Sequence, residues 1–173
     1  IQAAAWDRIV QVTERVGWRL FEEGRWDTLA DWLEAVPAEE LSAQPKLILW
    51  KARILHYLNQ VDRALAPLAQ AVVSLEARED WVALAEALMT RGMCLRVKGD
   101  YHGSKDALAQ ARALLAEHDG PQSILSEARK ELGITLSLCG ELNAAIQELS
   151  SVLDIYEAAG DVYNIAHTSD QLA

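Results

Sequence analysis

The chain has 173 residues, a hydrophobic fraction of 51% and only 4 prolines, which is enough apolar material for one domain with a sizeable core. Its net charge of −10 disfavours direct binding to nucleic acid or to anionic membranes, because both carry negative phosphates. No apolar run reaches the roughly 18 residues of a membrane span, and no signal segment opens the chain. The two cysteines, Cys94 and Cys139, do not make a disulfide framework, and a reducing cytoplasm is therefore expected.

Apolar residues recur at three- and four-residue spacings along the whole sequence, which predicts helices throughout. In chain order, the predicted helices cover about 2–23, 26–36, 45–58, 61–78, 81–98, 101–117, 122–139, 142–158 and 161–173. The segment from Val36 to Pro45 is the one longer connection, and Gly120-Pro121 ends one helix and starts the next. We see no linker, so 1–173 is predicted to be a single domain. Because the chain opens on Ile1 and stops inside a predicted helix, we expect it to be part of a longer protein.

A turn-forming cluster recurs between the two helices of each predicted pair. The four clusters are Gly24-Arg25-Trp26, Asn59-Gln60-Val61, Gly99-Asp100-Tyr101 and Gly140-Glu141-Leu142. Gly or Asn at these positions can adopt the left-handed conformation that ends a helix. A small residue stands seven positions before each cluster, and these small residues are separated by 35, 40 and 41 positions: Gly17, Ala52, Gly92 and Gly133.

The pattern predicts hairpins of two antiparallel helices, with the small residue allowing the two backbones to approach closely. One such hairpin cannot bury its apolar face alone, so successive hairpins must stack. The hairpins are expected at about 2–36, 45–78, 81–117 and 122–158, with the start of another at 161–173. The predicted fold is all-α, a TPR-like α-α superhelix, which is a right-handed solenoid of antiparallel helix hairpins.

The arrangement of turn, alanine and leucine resembles the tetratricopeptide repeat, although the period here is nearer 40 residues than 34. A more specific series lies within residues 17–80. It consists of Gly24-Arg25-Trp26, Asp31-Trp32-Leu33-Glu34-Ala35-Val36-Pro37, Leu41, Pro45, Leu47 and Trp50-Lys51-Ala52-Arg53. This series resembles the TPR region of MalT-like, LuxR-type transcriptional activators of the STAND class. The resemblance implies a sensor arm that receives a small inducer or an inhibitory protein, between an ATP-binding module and a helix-turn-helix module that this sequence does not contain.

The sequence offers no motif for a cofactor or for catalysis. Gly103-Ser104-Lys105 lacks the preceding glycine of a phosphate-binding loop. The four histidines, His56, His102, His118 and His167, have no second ligand at metal-binding spacing. Adjacent carboxylates such as Glu22-Glu23 do not face each other on a helix, and no serine has an identifiable base nearby. We therefore expect no cofactor, no metal and no enzyme activity.

The predicted working surface is the concave face, which the first helix of each hairpin lines in TPR-like stacks. The predicted ligand- or partner-binding residues are Trp18, Arg53, His56, Tyr57, Met93, Arg96 and Lys130. Aromatic faces stack on sugars, bases or peptide side chains, and arginine provides a directional fork of donors. The competing interpretation is that the aromatic residues and Met93 fill space between hairpins and that the arginines neutralise an acidic chain. Trp26, Trp32 and Trp50 surround the longer connection and are expected to anchor it by packing; the alternative is that they form a ligand pocket.

Two functions follow from these observations. The first is a non-catalytic sensor or protein-interaction domain of a MalT-like regulator, which binds a small inducer or a regulatory protein. The second is a stand-alone TPR adaptor or peptide receptor that clamps a peptide in its groove. Self-association through the end repeats is also expected, because terminal repeats normally need a polar outer surface.

Overall fold

The computed structural model describes residues 8, 11–13, 15–17, 19–20 and 23–172, and the regular elements among them are helical. The helices are α1 (Trp26–Glu34), α2 (Ala38–Ala43), α3 (Pro45–Tyr57), α4 (Val61–Ala77), α5 (Trp81–Val97), α6 (Tyr101–Glu117), α7 (Gln122–Leu138), α8 (Leu142–Ala159) and α9 (Val162–Leu172). The described residues between 8 and 20 are helical as well, but most of the first predicted helix lies outside the described residues. The all-α prediction is confirmed.

The connection predicted between Val36 and Pro45 is partly wrong, because it contains the short helix α2. Pro37 precedes this helix with an extended backbone, at φ −55° and ψ 144°, and the following Ala-Glu-Glu-Leu-Ser-Ala segment has mostly good helix formers. Pro45 is the first residue of α3, a position where its missing N–H costs nothing. Six residues are too few to show an apolar periodicity, which explains why the pattern did not predict α2.

The predicted helix-ending turns are confirmed by the backbone. Gly24, Asn59, Gly99 and Gly140 all have positive φ, at 70°, 56°, 81° and 79°. Each of these residues follows the first helix of a pair and reverses the chain toward the second. The left-handed conformation is nearly free of strain for glycine and tolerable for asparagine.

The predicted close approach at the small residues is confirmed in the hairpins α5/α6 and α7/α8. A Cβ atom added to Gly92 would lie 2.7 Å from Cγ of Leu108 on α6. A Cβ atom added to Gly133 would lie 2.7 Å from Cγ of Leu149 on α8. In both hairpins, therefore, a leucine of the second helix occupies the space that a side chain on the first helix would need.

The residue contacts divide the chain into two compact units, residues 1–79 and 80–173. The core cluster in the first unit consists of Leu20, Leu29, Leu33, Val36, Leu47 and Ile54, with Trp26, Trp32 and Trp50 packed against it. The second unit contains the hairpins α5/α6 and α7/α8, followed by α9. Its fully buried side chains include Leu108, Leu115, Leu149 and Val152. Within the described part of the chain, no helix is both long and apolar enough to cross a membrane.

Replacement of Gly92 by valine tests the close approach of α5 and α6. Because the new side chain collides with Leu108, we expect Gly92→Val to lower the free energy of unfolding by about 1–3 kcal/mol. The control is Ala113→Val on the exposed face of α6, which costs only about 0.5 kcal/mol of helix propensity. Urea unfolding followed by helical circular dichroism measures both, and equal midpoints for the two variants would contradict the packing.

Candidate functional site

The second unit exposes two matching rows of side chains on α5 and α7, the first helices of its two hairpins. Gly92 and Gly133 face their partner helices α6 and α8, and the next residue along an α-helix is rotated by roughly 100°. Met93 and Ile134 therefore point to the side of their hairpins, where both are half-buried. One turn further on, Val97 and Leu138 are 49% and 48% exposed.

Two carboxylates lie on the same rows, toward the N-terminal ends of the helices. Glu86 precedes Met93 by seven residues, and Glu127 precedes Ile134 by seven residues. A seven-residue step returns to nearly the same side of a helix, and both glutamates are half-buried. The first-helix stripe is the name we give to Glu86, Met93 and Val97 of α5 together with Glu127, Ile134 and Leu138 of α7.

A buried ion pair holds α5 and α7 side by side. Nη2 of Arg96 donates to Oε2 of Glu131 at 2.5 Å, and the two side chains are only 18% and 8% exposed. Nη1 of Arg96 donates to the carbonyl oxygen of Glu131 and to Oγ1 of Thr135, both at 3.3 Å. The charge of Arg96 is therefore neutralised within the unit, and its guanidinium spans from α5 to α7.

Lys130 makes the corresponding link from α7 to α9. It is only 9% exposed, and its Nζ donates to Oδ1 of Asn164 at 3.1 Å. Asn164 in turn donates from its backbone N–H and from Nδ2 to the carboxylate of Asp161, at 3.1 and 2.8 Å. These hydrogen bonds from Asn164, aided by the charge of Lys130, hold the pKa of Asp161 below its usual value.

Three carboxylates act on the buried Tyr156. Burial, as the largest cause, and the carboxylates of Glu127, Asp161 and Glu131 together raise the pKa of the Tyr156 hydroxyl to about 12. Burial acts whatever the local charge, whereas the three carboxylates contribute because nearby negative charge disfavours the phenolate. Glu127, Asp161 and Glu131 are therefore close enough to Tyr156 to act on its hydroxyl.

The first unit brings together a different group of side chains, four from α3 and one from α1. The guanidinium carbon of Arg53 lies 5.9 Å from the centroid of the Trp50 ring. The ring of Tyr57 lies 5.1 Å from that of Trp26 at 39°, and His56 meets Tyr57 edge to face at 5.5 Å. Tyr57 is 46% exposed. We call these five residues the aromatic cluster; its ring faces and guanidinium suit a planar ligand or a sugar.

The predicted site residues thus occupy different environments. Arg53, His56 and Tyr57 lie together in the aromatic cluster, and Met93 lies on the first-helix stripe. Arg96 and Lys130 contact neighbouring helices of their own unit. Trp18 lies outside the described residues.

The predicted inner positions of the first helices included Leu138, although it was not among the predicted binding residues, and they did not reach Glu127. The predicted inner positions stopped three residues before each small residue, and one further helical turn toward the N-terminus would have reached Glu86 and Glu127. No cluster of three metal-ligating side chains occurs in the part of the chain that the structure describes.

Solved structures with the same fold place the chain among TPR-like repeats. It is similar to a Podosopora anserina protein assigned as a kinesin light chain, whose own TPR-like repeats are nearly identical to one another. The TM-score is 0.63 at 16% sequence identity, and the match covers 94% of this chain and 92% of that one. A variant of the same repeats gives a TM-score of 0.66 and 16% identity, over 94% and 82%. No family model matches the chain, and no curated protein matches it. At this identity the similarity establishes the fold: the chain has a TPR-like repeat fold, as the sequence predicted.

The contribution of the Arg96–Glu131 pair can be measured with a double-mutant cycle. Arg96→Met leaves Glu131 buried without its countercharge, and we expect a loss of about 3–5 kcal/mol in the free energy of unfolding. Arg96→Met combined with Glu131→Met should recover much of that loss, because no buried charge is left unpaired. Lys105→Met breaks a pair with Glu141 that is more exposed, at 28% and 44% for the two side chains, and its effect should be much smaller. Equal losses for Arg96→Met and Lys105→Met would show that the Arg96 pair is not buried in solution.

Proposed function

We propose that this chain is a non-catalytic protein-interaction repeat domain and that the first-helix stripe is one of its docking surfaces. The observation that carries this proposal is the pair of exposed apolar residues Val97 and Leu138, in the same register on adjacent helices. The apolar row that these residues form with the half-buried Met93 and Ile134 favours a protein or peptide partner, since burial of its exposed part on binding is favourable. The TPR-like fold supports the same function, because stacked hairpins offer an extended surface for recognition.

We further propose that the domain is the sensor region of a MalT-like transcriptional regulator. The support comes from the residue series between Gly24 and Arg53 and from the aromatic cluster, which lies within the same segment. In this proposal a small inducer binds on the aromatic cluster, and a regulatory protein binds on the first-helix stripe. Binding at either surface would bias the exposure or self-association of the full-length protein.

The alternative is a stand-alone TPR adaptor or peptide receptor. The exposed apolar row is equally compatible with this function, because a peptide helix can place its apolar face on such a row. The open reading frame of the parent protein distinguishes the two. A phosphate-binding loop upstream and a helix-turn-helix downstream would support the regulator, and a short complete protein would support the adaptor.

The docking surface can be tested by peptide selection. Peptides from a random phage-displayed library that bind the purified chain should lose binding to Val97→Asp and Leu138→Asp, because each change places a charge on the apolar row. They should retain binding to Ile146→Asp, which alters a comparably exposed residue on α8. Binding that survives both stripe variants would count against the proposed surface.

The inducer site can be tested by titrating sugars, amino acids and short peptides against the chain and following tryptophan fluorescence. Trp26 and Trp50 are part of the aromatic cluster, so a ligand that stacks there should change their emission. Tyr57→Ala should abolish that response, and Tyr101→Ala, which alters a tyrosine 37% exposed in the second unit, should leave it intact. The proposal fails if no compound changes the emission or if Tyr57→Ala responds like the unaltered chain.

A further inference from the structure

We infer that the first-helix stripe of the second unit accepts a basic, amphipathic segment of its protein partner, with apolar side chains on one face and lysine or arginine beside them. This inference rests on the proposed function and names the partner's chemistry. It follows from three features of the unit: its charge balance, the engagement of its cations and the order of residues along the stripe.

The charge balance of the second unit is strongly acidic. Residues 80–173 contain seven basic and fourteen acidic side chains, a net charge of −7. The first 79 residues contain nine basic and twelve acidic side chains, a net charge of −3. Most of the acidity of the chain is therefore concentrated in the unit that carries the stripe, where it attracts cationic partners and speeds their association.

At least five of the seven basic side chains in this unit are engaged with other parts of the same unit. They are Arg96 with Glu131, Lys105 with Glu141, Arg112 with Glu148, Arg129 with Ser151 and Lys130 with Asn164. Arg96 and Lys130 matter most, since they lie on the same helices as the stripe. An acidic partner would have to compete with Glu131 for Arg96 and with Asn164 for a lysine that is only 9% exposed.

The order of residues along each helix sets the spacing that a partner must match. Glu86 and Glu127 lie nearer the helix N-termini, and the apolar pairs Met93/Val97 and Ile134/Leu138 follow toward the C-termini. Seven residues separate each glutamate from the first apolar residue, a distance of roughly 10 Å along the helix. A segment that places a cation about 10 Å from its apolar side chains can bury those side chains and approach a carboxylate at the same time.

The experiment compares two labelled helical peptides of about 15 residues. Both carry leucine at helical spacing on one face, and the other face carries lysine in one peptide and glutamate in the other. Fluorescence anisotropy with the whole chain should show the lysine peptide binding at least about tenfold more tightly, which corresponds to about 1.4 kcal/mol. The affinity of the lysine peptide should fall as salt is raised, because salt screens the attraction.

Matched variants locate the binding. Leu138→Ser should lower the affinity for the lysine peptide by about tenfold, because an apolar contact is lost. Glu127→Gln should lower that affinity by about threefold, because one charge contact is lost. The controls lie on α8, where Ile146→Ser and Asp154→Asn alter an exposed apolar and an exposed acidic residue. Both controls should bind like the unaltered chain, and circular dichroism verifies that all four variants are folded.

The outcomes separate this inference from the proposed function. If the glutamate peptide binds as well as the lysine peptide and Leu138→Ser weakens both, the stripe is a docking surface but the inferred chemistry is wrong. If Glu127→Gln binds the lysine peptide as tightly as the unaltered chain, the inferred charge contact is likewise wrong. If Leu138→Ser changes neither peptide's affinity, the inference and the proposed docking surface both fail. If the chain forms dimers that Leu138→Ser abolishes, the stripe is occupied by a second copy and the inference is overturned.

Discussion

The contact between a glycine of one helix and a leucine of its partner is the interaction on which the second unit depends. At Gly92 and at Gly133 the absence of a side chain lets Leu108 and Leu149 lie against the backbone of the opposite helix. This contact fixes how far each first helix is rotated about its own axis. Because the rotation is the same in both hairpins, equivalent residues emerge on the same side, and Met93 and Ile134 become neighbours in one surface.

Ion pairs between successive hairpins complement the apolar packing. Arg96 contacts Glu131, Lys105 contacts Glu141 and Arg112 contacts Glu148, at sequence separations of 35, 36 and 36. In each pair the cation comes from the earlier hairpin and the carboxylate from the later one. The pairs therefore help to hold the hairpins in one register. Each pair neutralises one carboxylate together with one cation, so the net charge of the unit stays at −7.

The two units present surfaces of different chemistry. The first unit displays stacked rings and a guanidinium around Tyr57, supported by tryptophans that pack against its core. Rigid support from the core means that a ligand at Tyr57 would meet a preformed surface, and little conformational entropy would be lost on binding. The second unit displays aliphatic side chains beside carboxylates. In the proposed function, a small planar or sugar ligand binds the first surface and a protein segment binds the second.

The sequence by itself determined the hairpin turns, the longer helices and the close-packed Gly92 and Gly133, because these depend on local periodicity and on the special backbone freedom of residues such as Gly99 and Asn59. It did not predict the short helix α2. It also predicted Arg53, His56 and Tyr57 as binding residues; the three lie on one helix, and their proximity follows from helical spacing. Only the tertiary structure decided which groups Arg96 and Lys130 bind, since their partners Glu131 and Asn164 are 35 and 34 residues away in the sequence. Sequence spacing predicts which side of a helix a cation occupies. The packing of the next helices decides whether a carboxylate or an amide oxygen of the same unit accepts a hydrogen bond from that cation.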